Sequence, residues 1–113
     1  MPGMADGPPD ASPVGGAVAF VYFRSAPEQR DAVRVAFDRL SLALRQAGWP
    51  RPESIALRHE PARDYFTWLE TYRGPNLERL REQLAAVERL AAVCGLSGLA
   101  LNGRHVEIFE ACA

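Results

Sequence analysis

The feature that most restricts the fold of this 113-residue chain is a pair of amphipathic helical segments set between strand-like segments. Apolar residues recur at helical spacing as Val33, Phe37, Leu40 and Leu44, and again as Leu77, Leu80, Leu84, Val87, Ala91 and Cys94. A capping box formed by Ser25 and Glu28 is predicted to begin the first helix, and Asn76 is predicted to cap the second. Gly48 and Gly95 are predicted to end them. Each helix therefore has one face that must be buried against another layer.

Four segments have the composition of strands: Ala17 to Arg24, Glu53 to Glu60, Asp64 to Arg73, and Arg104 to Glu110. The resulting order β, α, β, β, α, β predicts an α+β, ferredoxin-like plait, in which a four-stranded antiparallel sheet carries both helices on one face. The first and third strands should lie in the centre. Residues 1–16, with four Pro and four Gly, are interpreted as a disordered tail, and residues 17–113 as one domain.

Composition excludes several classes of function. Thirteen basic and 14 acidic residues give a net charge of −1, which provides no concentrated basic face for nucleic acid or anionic lipid. An RNA-binding plait has the same strand order, but Glu70 and Glu107 on its sheet would repel phosphate. No apolar run reaches the roughly 20 residues of a membrane span. Two cysteines outside any metal-ligand spacing favour a reducing cytoplasm, and no cofactor or metal is expected.

The alternation of side chains along a strand divides the sheet into a helix-facing set and an open-face set. Requiring an apolar helix-facing set assigns to it Val21, Phe23, Ile55, Leu57, Thr67, Leu69, Val106 and Ile108. The open face then receives Phe20, Tyr22, Arg24, Arg58, Glu60, Phe66, Trp68, Glu70, Tyr72, His105, Glu107 and Phe109. Six aromatic residues on one face exceed what a monomer usually exposes, so a second copy of the sheet is predicted to cover it in a homodimer.

The polar residues of the predicted open face are the candidates for function. A cavity between the two sheets would bind a small aromatic or carboxylate ligand through Tyr22, Arg24, Arg58, Trp68, Glu70, Tyr72 and His105. His105, Glu107 and Glu70 are the candidate catalytic residues, with the imidazole available for proton transfer. Two alternatives stay open. In the first, the charged residues only neutralise one another, Arg24 or Arg58 pairing with Glu70 or Glu107. In the second, the chain is a purely structural dimerisation or interaction module. Whether the chain is an enzyme is left undecided.

Two strands carry a resemblance to a known family. TWLETYRG (Thr67 to Gly74) and RHVEIFEAC (Arg104 to Cys112) resemble a proteobacterial family of small domains of unknown function. That family is similar to the dimeric α/β-barrel group, which includes cofactor-free monooxygenases of aromatic polyketides, muconolactone isomerases, haem-degrading enzymes and stress-response proteins. The resemblance implies a bacterial homodimer with a ferredoxin-like fold, and it supplies no catalytic residues.

Overall fold

A computed structural model describes residues 16–112, so that all but the last residue of the predicted tail lies outside the described part. The elements are β1 (Ala17–Ser25), α1 (Arg30–Gln46), β2 (Ser54–His59), β3 (Phe66–Gly74), α2 (Leu77–Val93), α3 (Leu96–Leu99) and β4 (Leu101–Glu110). A single 3-10 turn, Pro27–Gln29, precedes α1. The predicted order is confirmed, with the short α3 as an addition.

The four strands form one antiparallel sheet in the order β2, β3, β1, β4. The first and third strands along the chain are therefore central, as predicted for a ferredoxin-like plait. Helices α1 and α2 pack on each other, and α2 also packs on β1 and β3. The buried core lies between this helical layer and the sheet. None of the helices within residues 16–112 combines the length and the apolar character needed to cross a bilayer.

The predicted ends of the helices are confirmed. Gly48, with φ +86°, follows α1, and Gly95, with φ +87°, follows α2. Both glycines occupy the left-handed region, in which a residue without Cβ is not strained. At the start of α2 the Asn76 Oδ1 accepts a hydrogen bond from the Arg79 amide at 2.8 Å. One cap and two glycines therefore set three of the four ends.

The predicted capping box at the start of α1 is wrong. Ala26 occupies the cap of the preceding 3-10 turn, and no side chain caps that turn. Ser25 remains the last residue of β1, fully buried, and its Oγ accepts a hydrogen bond from the Trp68 Nε1–H at 2.8 Å. The hydroxyl expected to cap the helix therefore serves a buried tryptophan, a long-range partner that the local pattern does not show.

The last strand begins earlier than predicted. β4 includes Leu101, Asn102 and Gly103, which were expected to lie in a loop. Asn102 and Gly103 both have positive φ, at +61° and +83°, and the register between β1 and β4 shifts in this stretch. The Asn-Gly pair is thus a bulge within the strand, which bends β4 where it passes the end of β1.

Candidate functional site

The two faces of the sheet differ from prediction at β3. Across the β1–β3 ladder Phe23 lies opposite Trp68, Val21 opposite Glu70, and Ala19 opposite Tyr72. Residues directly opposite each other in an antiparallel pair point to the same face. The prediction that Phe66, Trp68, Glu70 and Tyr72 lie on the open face is therefore wrong, and these residues share the helix-facing side with the buried residues of β1. Trp68, Glu70 and Tyr72 cannot line a cavity between two sheets.

Glu70 can lie on the helix-facing side of β3 because it is part of a charge pair inside the core. Arg104, whose side chain is 2% exposed, donates two hydrogen bonds to the fully buried Glu70 carboxylate, at 2.5 and 3.0 Å. The Tyr72 hydroxyl donates a third to Glu70 Oε1 at 2.6 Å. A buried carboxylate is tolerated when it is paired and hydrogen bonded. Glu70 can face the helices because Arg104, 34 residues away in sequence, neutralises it. The predicted pairing of Glu70 with Arg24 or Arg58 is wrong.

The environment of Tyr72 makes its hydroxyl very difficult to ionise. Burial raises the pKa of Tyr72 far above its ordinary value, and the negative charge of Glu70 together with the hydrogen bond to it raises the pKa further. An unfolded tyrosine ionises at about pH 10. Above that pH the unfolded chain releases a proton that the folded chain keeps, so the contribution of Tyr72 to stability, complete below about pH 10, falls as the pH rises.

This difference predicts a spectroscopic result. The tyrosinate absorbance that the folded protein develops at alkaline pH should be the same in the wild type and in Tyr72→Phe. After unfolding in urea the wild type should show one tyrosinate more than the variant, out of three tyrosines. A smaller amplitude for folded Tyr72→Phe would mean that solvent base reaches Tyr72 in the native state, which contradicts its burial.

The open face is therefore less aromatic than predicted. Of the six aromatic residues assigned to it, Phe20, Tyr22 and Phe109 are on it. Phe20 and Phe109 contact edge to face with ring centroids 5.8 Å apart, and Phe109 is 54% exposed. A compact apolar cluster remains beside the polar end of the face.

Four of the predicted ligand-binding residues meet on this open face. A cavity of about 340 Å³ is lined by Tyr22, Phe23, Arg24, Arg58, Thr67, Leu101, Asn102 and His105. Thr67 lies directly opposite Arg58 on one side and Arg24 on the other, and Arg24 lies opposite Leu101. Four strands thus contribute to one row across the sheet. We call this space, with the eight residues that line it, the open-face cavity.

The two arginines of the open-face cavity have different surroundings. The Arg58 Nε donates to Glu60 Oε2 at 2.7 Å, and the Thr67 hydroxyl donates to the same oxygen at 2.7 Å. The hydrogen bond from Thr67, followed by that from Arg58, lowers the pKa of Glu60. Arg24 instead places its guanidinium 4.6 Å from the centre of the Tyr65 ring. Within residues 16–112 it forms no salt bridge, so its hydrogen-bond donors are available to an anion.

The neighbouring row of the open face carries an imidazole and a phenol, since His105 lies directly opposite Tyr22, two residues before Arg24 on β1. The ring of His105 lies on that of Tyr22, with centroids 5.4 Å apart and planes 30° apart. The Tyr22 hydroxyl donates a long hydrogen bond to Glu107 Oε2 at 3.4 Å. These rings offer a ligand a flat surface beside the Arg24 charge, and His105 offers a proton acceptor.

A second concave region lies on the other side of the sheet. A cleft of about 320 Å³ between α1 and the β2 edge is lined by Arg30, Arg34, Phe37, Asp38, Ile55, Leu57 and Trp68. Its charged residues belong to none of the sites predicted from the sequence. The available signal was their spacing, since Arg30, Arg34 and Asp38 follow one another at intervals of four on a helix.

Residues 16–112 contain no group of three or more His, Cys, Asp or Glu side chains placed to hold a metal ion. His105 lies with an aromatic ring, and Glu70 is occupied by Arg104. The candidate chemistry of the site is therefore that of guanidinium, imidazole and phenol groups.

Comparisons with known proteins find similarity in fold and none in sequence families. No family model matches the sequence, and no curated protein matches it. Among solved structures, a protein of Caulobacter crescentus provisionally assigned as an antibiotic biosynthesis monooxygenase superposes with a TM-score of 0.54 at 13% identity, over 88% of this chain and 92% of its own. The chain has the fold of such monooxygenases. The implied similarity to the dimeric α/β-barrel group is confirmed at the level of fold.

Two further structures show how far that likeness extends. SnoaB, a cofactor-independent oxygenase from Streptomyces nogalater, has a TM-score of 0.52 at 18% identity, covering 86% of this chain and 94% of its own. The designed protein Foldit4 has the same TM-score at 12% identity, covering 87% of this chain and 98% of its own. An enzyme and a de novo design thus share this fold, so function must be argued from the side chains.

Proposed function

We propose that this chain binds a small aromatic acid in the open-face cavity. The observation that carries the proposal is the position of Arg24, which has no carboxylate partner within residues 16–112 and lines the same cavity as the Tyr22 and His105 rings. A guanidinium binds a carboxylate through two parallel hydrogen bonds, and flat aromatic surfaces favour a ring. A cavity of about 340 Å³ is within the size range of ligand sites.

Each wall of the cavity has a separate part in this binding. Arg24 holds the carboxylate, and its contact with the Tyr65 ring fixes the guanidinium in place. Arg58 adds positive charge, which Glu60 partly neutralises. The aromatic ring of the ligand lies toward Tyr22 and His105. A second copy of the chain, seated on Phe20 and Phe109 in the predicted homodimer, would exclude water from the same space.

The proposal predicts a binding defect for one arginine and none for another. With 1-naphthoate as the probe, Arg24→Ala should weaken binding by about 10- to 100-fold, because a hydrogen bond to a charged group contributes about 1.5–3 kcal/mol. Arg34→Ala is the matched control, since Arg34 lines the cleft on the other side of the sheet. Calorimetric titration measures both. Equal losses in the two variants, or no binding by the wild type, would count against the open-face site.

A second function, cofactor-independent oxygenation, is favoured by the position of His105. In that reaction an aromatic ketone with an acidic methylene loses a proton to a base, and the resulting anion itself supplies electrons to dioxygen. Overall the methylene becomes a carbonyl, with one oxygen atom retained and the other released in water. His105 and the cationic Arg24 line the same cavity, so one side chain can accept the proton while the other stabilises the enolate.

Oxygen uptake distinguishes this second function from binding alone. With anthrone as the probe, oxygen consumption by the wild type and its loss in His105→Ala would support oxygenation. The variant should weaken binding of 1-naphthoate less than Arg24→Ala does, because the guanidinium that holds the carboxylate is unchanged. Binding without any oxygen consumption would leave the chain a binding protein of oxygenase-like fold.

A further inference from the structure

β4 has more residues beside the open-face cavity than its pairing with β1 requires. The ladder between the two strands is regular as far as Tyr22. Continued without a shift, it would place Gly103 opposite Arg24, but the residue opposite Arg24 is Leu101. Two residues of β4 are therefore additional to the ladder, and they are Asn102 and Gly103, the residues of the bulge. Bulges are frequent beside binding sites, where they redirect a side chain.

Asn102 has a backbone conformation that most side chains disfavour. Its φ is +61°, and within residues 16–112 the only other residue besides glycines with a positive φ is Ala62. Asparagine tolerates this region better than most residues, but glycine adopts it without a steric penalty. The bulge by itself therefore does not require an asparagine at this position, and a strained residue at a cavity points to a role for its side chain.

The side chain of Asn102 lines the open-face cavity together with Arg24 and His105. Asn102 is exposed, and within residues 16–112 its side-chain amide forms no hydrogen bond. A carboxamide has two N–H donors and one carbonyl acceptor. All of these groups are therefore available to a ligand in the cavity.

The position of Asn102 in the ladder indicates which part of a ligand it meets. In the proposed binding mode the carboxylate lies at Arg24, and the aromatic ring lies toward Tyr22 and His105 in the neighbouring row of the sheet. The bulge separates these two rows on the β4 side. Asn102 therefore lies beside the bond that joins the carboxylate to the ring, where a substituent ortho to the carboxylate would be.

We propose that Asn102 selects aromatic acids with a hydroxyl group next to the carboxylate, and so sets the substrate class of the proposed ligand site on which this inference rests. In such an acid the hydroxyl proton is held by the ligand's own carboxylate, so the hydroxyl oxygen is free to accept a hydrogen bond. The Asn102 Nδ2–H donates to that oxygen, while the Arg24 guanidinium donates to the carboxylate. An acid without the hydroxyl gains only the second of these contacts.

Two ligands that differ in one group test the role of Asn102. They are 1-naphthoate and 2-hydroxy-1-naphthoate, and only the second carries the ortho hydroxyl. In calorimetric titration the wild type should bind the hydroxy acid about 3- to 10-fold more tightly, the range for one additional hydrogen bond between neutral groups. Asn102→Gly should lose this preference, because the amide is removed while the positive φ is retained without strain.

Two further variants separate this contact from general effects on the cavity. Leu101→Ala removes apolar surface from the same lining and should weaken binding of both acids by the same factor. Arg24→Ala should also weaken both and leave their ratio unchanged, since both acids have the carboxylate. The midpoint of urea unfolding should be nearly the same for Asn102→Gly and the wild type, because relief of strain offsets the greater freedom of glycine in the unfolded chain.

Two outcomes would overturn the role of Asn102 and leave the ligand site in place. One is a wild type that binds the two acids equally, with Arg24→Ala still weakening both. The other is an Asn102→Gly variant that unfolds at lower urea but keeps the preference of the wild type, as a purely structural role predicts. A wild type that binds neither acid would contradict the proposed function, and the role of Asn102 with it.

Discussion

Trp68→Ala should destabilise the folded chain by about 3–5 kcal/mol, the range for deleting a buried large aromatic side chain. Trp68 is 3% exposed and packs on Phe23 and Phe37, with ring centroids 6.5 and 5.6 Å away. Its removal also leaves the buried Ser25 hydroxyl without the indole donor. Urea unfolding followed by circular dichroism measures the loss.

The dependence of this stability loss on protein concentration shows whether Trp68 stabilises one chain or an interface between copies. Because its contacts are all within one chain, the cost should be the same at low and high protein concentration. Val93→Ala, at a side chain that is 79% exposed, is the control and should change stability by less than about 0.5 kcal/mol. A cost for Trp68→Ala that shrinks on dilution would instead place the tryptophan in an interface between copies.

Glu70→Ala is expected to cost about 3–5 kcal/mol, because it leaves the Arg104 guanidinium buried without its counter-charge. Tyr72 loses its acceptor in the same variant. Arg104→Met should be similarly destabilising, since it strands the carboxylate. The double variant Glu70→Leu with Arg104→Met removes both charges and should be close to the wild type in stability. Denaturant unfolding of the four proteins gives the coupling energy as a double-mutant cycle.

The control for this cycle is a pair on the surface. Arg79 and Glu82 form a salt bridge at 3.0 Å with both side chains more than half exposed. Glu82→Ala should therefore cost less than about 1 kcal/mol. Single variants of Glu70 and Arg104 with costs as small as this would mean that water reaches the interior pair, contrary to its burial.

Stability and proposed function are thus assigned to opposite sides of the sheet. Trp68, Glu70, Tyr72 and Arg104 are buried on the helix-facing side of the sheet. The proposed binding residues Arg24 and His105 lie on the other face. Substitutions on the open face should consequently alter binding or association with little effect on unfolding.

The sequence by itself determined the order of the elements, the central position of β1 and β3, and most helix ends. Each of these depends on contacts between near neighbours in the chain: an apolar stripe at helical spacing, a glycine at positive φ, an asparagine cap. It also brought Tyr22, Arg24, Arg58 and His105 to one face. Apolar and polar residues alternate in β2 and β4, and in the otherwise apolar β1 the charge of Arg24 marks the face away from the core.

Only the tertiary structure decided which face of β3 is buried. Both sets of side chains on that strand are mixed, with Thr67 and Leu69 on one side and Trp68 and Glu70 on the other. The requirement that helix-facing residues be apolar selects Thr67 and Leu69 for the buried side, because an unpaired Glu70 would not be buried. The fold reverses the choice because Arg104, distant in sequence, lies on β4 of the same sheet and neutralises Glu70. Partners separated by many residues leave no periodic signal, so this pairing became visible only once β1 had brought β3 and β4 to either side of it.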